Sequence, residues 1–361
     1  MRVLQLIDSL RTGGSERMAI NIANALSSKV EASFLCTTRD EGLLKSNIND
    51  SVNYLFLNKS SALDLKAISK LSWYIKKNKI DIIHAHSTSF FLATLVKVFN
   101  PKLKLIWHDH YGKSEYLNKR PKLLLYFCSL FFNHIFSVNS KLKAWAENKL
   151  NTKSITYLPN FPLQQASNLE TINLKGVNGK RIVCLANLRA QKDHLTLLKA
   201  FSIILKEYPD WSLHLIGKDY KDEYSKSLSN FISEKKIEKS VFIYGSCNNT
   251  FGLLEQCDIG VLSSNSEGLP LALLEYGIKK MPTIITDVGD CGLVITDSTI
   301  GKLVPPSNIL ALNKAIEFYI NKPEEAKKAG QNLNKRVESQ FSVNVAIKHI
   351  VGIYKKQMLN D

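Results

Sequence analysis

The sequence predicts an α/β protein made of two doubly wound halves, and three observations carry that expectation. Two series of short apolar runs alternate with stretches of helical periodicity, as parallel sheets joined by crossover helices require. The alternation breaks near Pro159-Asn160-Phe161-Pro162, before a polar stretch of little periodicity from Gln164 to Gly179. The chain has 361 residues, more than one small core accommodates.

In the first half the strand runs are Val3–Ile7, Ala32–Thr37, Val52–Leu57, Ile82–Ala85, Leu103–Trp107 and His134–Val138. Helical spacing falls between them at Ser15–Leu26, Leu63–Lys77, Ser89–Phe99, Pro121–Phe132 and Lys141–Lys149. The second half gives strands at Arg181–Ala186, Trp211–Ile216, Val241–Tyr244, Ile259–Ser263, Thr283–Thr286 and Gly301–Val304. Its helices are expected at Asp193–Lys206, Tyr224–Lys235, Thr250–Cys257, Leu269–Ile278, Ile309–Ile320 and Glu324–Gln340, followed by a last one at Val343–Met358. Pro323 with Glu324 and Glu325 suits the first turn of the penultimate helix, where N–H groups are unpaired and the dipole end is positive. The expected organisation is a Rossmann-like domain at 1–165, a linker at 166–179, a second Rossmann-like domain at 180–342, and a helix at 343–361 packing back on the first domain. Two such halves facing each other leave a cleft at the carboxyl ends of their strands.

Six scattered cysteines without a C-x-x-C pair argue for a reducing cytosol and against a structural zinc. No run reaches the ~20 apolar residues of a spanning helix, and Met1-Arg2 leads straight into a strand rather than a signal peptide. The expected location is therefore cytoplasmic. The net charge of +16 is uneven: residues 1–165 carry 23 basic against 11 acidic side chains, and the remainder 25 against 21. An anionic partner is thus expected at the first half: membrane phospholipid at the inner face of the plasma membrane, nucleic acid, or a phosphorylated substrate. Pro121–Phe132 sharpens this. Its apolar run follows Lys119, Arg120 and Lys122, and reads either as a crossover helix buried on the sheet or as one lying in a membrane interface. Lys66, Lys70, Lys76, Lys77 and Lys79 form a second basic face.

The most informative segment runs from Ser266 to Gly277. Glu267 and Glu275 lie eight positions apart, with Gly268-Leu269-Pro270 between them at a helix start. That helix end is an anion site, and two carboxylates beside it would accept hydrogen bonds from sugar hydroxyls. Together they describe a sugar-nucleotide pocket. Arg189 and Lys192 follow the strand Arg181–Ala186, where two fixed cations would neutralise a diphosphate. Gly13-Gly14-Ser15-Glu16-Arg17 opens the first helix after the first strand, a turn at which backbone and phosphate meet closely. His108-Asp109-His110 ends another strand. No third ligand has the spacing a metal needs, so a histidine hydrogen-bonding a sugar or moving a proton is the better reading. In His84-Ala85-His86, His84 is expected to be a core histidine.

With Val138-Asn139-Ser140, Leu158-Pro159-Asn160, Ala186-Asn187-Leu188-Arg189-Ala190-Gln191-Lys192-Asp193, Gly217 and Gly245, these motifs run in an order that resembles the retaining glycosyltransferases of family 4, the group 1 set, across nearly the whole chain. The resemblance implies a GT-B fold and a hexosyl- or N-acetylhexosaminyl-transferase that acts without metal or other cofactor. It implies that Glu267 binds donor-sugar hydroxyls, assisted by the N–H groups of Gly268 and Leu269, and that Glu275 holds the ribose. Arg189 and Lys192 would grip the diphosphate, Gly14 would approach it from the other domain, and His108 would lie near the transferred sugar. Tyr244-Gly245-Ser246 would contact the base. Many relatives carry Gly-Arg where this chain has Ala186-Asn187, so the cation must come from Arg189. The implied reaction passes a sugar from a nucleotide-sugar, UDP favoured over GDP, to a saccharide or lipid-linked acceptor of the cell envelope.

Two other classes compete. A sugar-nucleotide epimerase on the same fold would need an acid/base set for water in the cleft. A basic nucleic-acid binder is disfavoured, because no helix-turn-helix, zinc or RNP pattern is present and aromatic residues are not interleaved with basic ones. A dehydrogenase is disfavoured because neither half has the dinucleotide glycine fingerprint.

Overall fold

A computed structural model describes residues 1–112, 114–162, 172–247 and 249–359. The chain divides into two units: Met1–Leu163 together with Val343–Asp361, and Gln164–Ser342.

The first unit runs β1 (Arg2–Ser9), α1 (Gly14–Leu26), β2 (Ala32–Asp40), β3 (Val52–Phe56), α2 (Leu65–Lys77), β4 (Ile82–His86), α3 (Phe90–Val98), β5 (Lys104–Asp109), α4 (Leu123–Cys128), β6 (His134–Ser137), α5 (Ser140–Lys149) and β7 (Ile155–Tyr157). All seven strands are parallel, in the order β3-β2-β1-β4-β5-β6-β7. Strands covered on both faces carry near-continuous apolar runs, and Val3, Leu4 and Leu6 of β1 are fully buried. Strand β7 was not expected from the sequence: Ile155-Thr156-Tyr157 has no apolar run of its own to mark it.

The second unit runs β8 (Arg181–Leu185), α6 (His194–Glu207), β9 (Ser212–Ile216), α7 (Glu223–Glu234), β10 (Val241–Gly245), α8 (Thr250–Leu254), β11 (Ile259–Leu262), α9 (Leu271–Ile278), β12 (Thr283–Thr286), α10 (Cys291–Val294), β13 (Lys302–Val304), α11 (Ile309–Asn321) and α12 (Pro323–Gln340). Its six strands are also parallel, in the order β10-β9-β8-β11-β12-β13. The last helix, α13 (Val343–Leu359), belongs to the first unit, where Tyr354 is fully buried.

Of the expected linker 166–179, residues up to 171 lie outside the described residues. The rest has no helix or strand and is stitched to the second unit: Leu174 N–H donates to Gln256 at 3.0 Å, and the Arg181 guanidinium donates to the Leu174 and Lys175 carbonyls. In each sheet the winding reverses once, between β1 and β4 and between β8 and β11. That reversal parts the loops at the carboxyl ends of the two central strands and opens a crevice there.

Candidate functional site

The reversal point of the second sheet holds the strongest chemistry. The loop after β8 forms a 3-10 turn, Ala190–Lys192, and the loop after β11 leads through Ser263–Pro270 into α9. The two loops are laced together. Ser263 Oγ donates to the carbonyls of Lys192 (3.1 Å) and Asp193 (2.9 Å), and Asn265 N–H donates to Gln191 O at 2.8 Å. Asp193 caps α6 from the left-handed region (φ +45°), its carboxylate accepting from the N–H and hydroxyl of Thr196. This lacing brings Lys192 Nζ within 2.5 Å of Glu267 Oε1, which also accepts from Ser264 Oγ at 2.6 Å. Glu267 is nearly buried, so its charge is stabilised by a cation and a donor rather than by water.

The Glu267 loop is held from below by the next strand connection. Thr286 Oγ1 donates to Ser264 O at 2.6 Å, and Asp290 N–H donates to Gly268 O at 2.8 Å. Gly289 has φ +57°, and a Cβ there would stand 2.4 Å from the carbonyl oxygens of both Glu267 and Gly268. Only glycine lets these backbones approach so closely. Leu269 and Glu275 are buried, Glu275 on α9. Pro270 turned out to cap α9 rather than to begin it, its extended ψ of 129° carrying the chain into Leu271.

Arg189 and Tyr244 sit differently from Lys192. Arg189 is exposed and lies over the Tyr220 ring, 4.8 Å from its centroid, with a hydrogen bond to that hydroxyl. The structure therefore brings Lys192, but not Arg189, to Glu267. The Tyr244 hydroxyl accepts from Lys175 N–H at 3.1 Å and meets His214 Nδ1 at 3.2 Å, which turns it toward the segment ahead of β8. Gly245 ends β10, and its carbonyl accepts from Gly217 N–H at 2.9 Å.

In the first unit, Gly14 begins α1 and is exposed, with open space where a Cβ would stand. The Glu16 carboxylate sits in that first turn and accepts from Ser9 and Ser15. Asp109, at the end of β5, is buried and takes a two-pronged bond from Arg120 at 2.7 and 2.8 Å. The Arg120 guanidinium also lies over the Tyr111 and Trp145 rings, each 4.4 Å away.

Sequence reasoning missed a chain of polar groups on one face of this sheet. Gln5 stands opposite His84 in register, and His86 opposite His108. Gln5 Oε1 accepts at 2.8 Å from His86 Nε2, so His86 Nδ1 accepts in turn from His110 Nε2 at 3.0 Å. Gln5 Nε2 donates to the Tyr354 hydroxyl at 3.4 Å, which donates to His84 Nδ1 at 2.6 Å. One continuous line of donors thus runs from His110 at the strand end to His84 in the core. His84, as expected, is a core histidine at 0 % exposure. His108 is equally enclosed, and neither of its ring nitrogens has a hydrogen-bond partner among the described residues. His110 covers it, ring centroids 4.0 Å apart, and is the member of the pair that reaches the surface. Burial drives His84, His86 and His108 well below the usual imidazole range.

Ring nitrogens of His84, His86 and His108 lie within 4.8 Å of one another. His84 stacks at 15° on His86 and at 20° on His108, while His86 and His108 are tilted by 35°. Both nitrogens of His86 are already engaged.

Comparison with known proteins follows the same division. A family model described as Glycosyltransferase Family 4 matches residues 12–161, and one described as Glycosyl transferases group 1 matches residues 165–336. An uncharacterised glycosyltransferase of Haemophilus influenzae is 25% identical over 323 residues, 86% of this chain and 88% of that one. The Escherichia coli UDP-Gal:alpha-D-GlcNAc-diphosphoundecaprenol alpha-1,3-galactosyltransferase is 22% identical over 346 residues, 89% of this chain and 88% of its own. Among solved structures, Anabaena HepE in complex with UDP and glucose is similar with a TM-score of 0.80 at 15% identity, covering 99% of this chain and 100% of that one. Two parallel-sheet units, loops laced at the reversal of the second sheet, and family matches over both halves lead to one assignment: the chain belongs to glycosyltransferase family 4 and is a glycosyltransferase of GT-B fold.

Proposed function

We propose that this enzyme transfers a sugar from a nucleotide-sugar, a UDP-sugar before a GDP-sugar, to a hydroxyl of a lipid-linked or cell-envelope saccharide, with retention at the anomeric carbon and no metal. The observation that carries the proposal is the Lys192–Glu267 pair at 2.5 Å at the reversal of the second sheet. A cation and a sugar-binding carboxylate held side by side have the chemistry a diphosphate-sugar needs: one charge for the leaving group, one acceptor for hydroxyls. The relatives support the choice of substrates, since the E. coli enzyme is named for UDP-galactose and a diphosphoundecaprenol acceptor and HepE was crystallised with UDP and glucose.

In this reading donor binding transfers Lys192 from Glu267 to the diphosphate, where Arg189 joins it, and releases Glu267 to the sugar with the Gly268 and Leu269 amides. Glu275 takes the ribose, and Tyr244 and Gly245 mark the strand end that meets the base. From the first unit Gly14 is assigned to the diphosphate. Because His108 is enclosed beneath His110, the contact with the transferred sugar expected of His108 is assigned instead to His110, the imidazole that meets solvent. The acceptor hydroxyl attacks on the face the diphosphate leaves, and a phosphate oxygen takes its proton. The protein orients the sugar and stabilises the leaving charge. The basic first unit is the part we assign to an anionic membrane surface at the cytoplasmic face, with no role for nucleic acid.

A panel of nucleotide-sugars tested by thermal shift identifies the donor, because a ligand at a hundred times its Kd stabilises by about 2.7 kcal/mol. NMR of the product then reads the anomeric configuration, in buffer with and without EDTA. Inversion, or loss of activity in EDTA, would overturn the mechanism. A new nucleotide-sugar formed without acceptor would favour the epimerase.

A further inference from the structure

The segment Leu123–Phe131 gives the membrane reading a specific place. Helix α4 and the 3-10 turn that follows it, Ser129–Phe131, bury only Leu125, Cys128 and Ser129. Leu123 (72 %), Phe127 (56 %) and Leu130 (63 %) are exposed, as are Leu124, Tyr126 and Phe131. The expected crossover helix is therefore not covered on the sheet. It stands proud of it and presents large side chains to solvent at i, i+4 and i+7, a continuous apolar stripe.

This stripe is not a frayed end. Asn151 Nδ2 donates to Tyr126 O at 2.9 Å, Asn151 N–H to Ser129 Oγ at 2.9 Å, and Thr152 Oγ1 to Ser129 O at 2.6 Å. Leu125, Cys128 and Phe132 anchor it in the apolar core of the unit. A rigid pedestal thus holds six apolar side chains in water, where each forgoes burial.

Charge identifies the occupant. From Glu115 to Glu147 the sequence holds no acidic residue between them. Lys119 and Lys122 are exposed on the approach to α4, and Lys149 and Lys153 are exposed on either side of the Asn151–Thr152 clasp. Arg120 does not contribute, since it is buried on Asp109. No helix among the described residues is long and apolar enough to cross a membrane. An apolar stripe too short to span, with four exposed lysines on the segments that flank it, matches the headgroup–acyl boundary of an anionic bilayer.

We propose that Leu123–Phe131 is a membrane wedge: its apolar side chains insert among the acyl chains of an anionic phospholipid bilayer, while Lys119, Lys122, Lys149 and Lys153 pair with headgroups. This rests on the membrane reading above and narrows it to one segment. The full chain is floated with vesicles of phosphatidylcholine containing 30% phosphatidylglycerol, and with phosphatidylcholine alone. Leu124→Asp/Phe127→Asp should weaken partitioning about tenfold for each side chain, and Lys119→Gln/Lys122→Gln about fivefold for each charge. A Phe127→Trp variant should blue-shift on binding and be quenched by brominated acyl chains. Unchanged melting temperatures of the Asp and Gln variants separate lost docking from misfolding. Equal flotation of wild type and the Asp-pair variant would overturn the wedge and leave the membrane reading standing. Wild type that never floats would overturn both. A wild-type dimer that the Asp pair converts to monomer, without vesicle binding, would assign the stripe to a second copy and defeat the proposal.

Discussion

Lys192 and Glu267, 75 positions apart in sequence, neutralise each other at 2.5 Å across the two loops that leave β8 and β11. The pair is partly buried, with side chains 19 % and 7 % exposed, so neither charge is fully repaid by water once the other is removed. Lys192→Ala is expected to lower kcat/KM about 10²–10³-fold, the cost of losing one preorganised group at a developing charge. It should also cost about 1–3 kcal/mol of stability by stranding Glu267. Lys192→Ala and Glu267→Gln combined should lose less activity than the two single effects predict, because they share one interaction. Steady-state kinetics on all three variants checks this. Strict additivity would dissociate the two roles.

Gly289 supports that pair from the adjacent turn. Gly289→Ala places a methyl 2.4 Å from the carbonyls of Glu267 and Gly268, at a φ that costs an L-residue about 1–2 kcal/mol. The loop must move, so donor KM is expected to rise more steeply than stability falls. Parallel thermal melts and donor titrations read the two effects, and a variant with wild-type KM would show that the loop tolerates the shift.

Arg120 and Asp109 form a buried ion pair in the first unit. Removing one partner leaves an uncompensated charge among Trp107, Tyr111 and Trp145, and Arg120→Ala is expected to cost about 3–5 kcal/mol. Urea unfolding measures it. A loss under 1 kcal/mol would mean that water reaches Asp109 once the guanidinium is gone.

Acid should destabilise the first unit through its histidines. His84, His86 and His108 titrate well below 6.5 when folded, so below that pH the unfolded chain binds protons that the folded chain refuses. Stability is then fully present above about pH 6.5 and falls with decreasing pH, by about 1.4 kcal/mol per pH unit for each such group. Urea melts at pH 7.5, 6.0 and 5.0 should show this slope. His86→Gln should make it shallower by about one proton, and an unchanged slope would mean that His86 titrates normally.

Much of this was legible in the chain. All six strands of the second unit lie where apolar runs placed them, because parallel strands buried on both faces read as uninterrupted Val/Ile/Leu stretches. Glu267 and Lys192 were singled out because strand ends before helices are where cations and carboxylates carry chemistry. What stayed hidden was short or distant. β7, with three residues, lacks an apolar run that would mark it, and α10 has only four residues. Arg189's seat on Tyr220 and the line from His110 through Gln5 and Tyr354 to His84 join side chains 24 to 349 positions apart.

By itself, then, the sequence determined the kind of protein: two alternating α/β series and the residue types at each strand end, all properties of local spacing. The tertiary structure decided which of those residues meet. Sheet order put β8 beside β11 and so Lys192 against Glu267. Strand register put Gln5 beside His84 and His86 beside His108. Packing left the α4 stripe uncovered although its sequence is as apolar as a core helix. A side chain's neighbours depend on which strands pair and which faces are already filled, and no window of sequence contains that information.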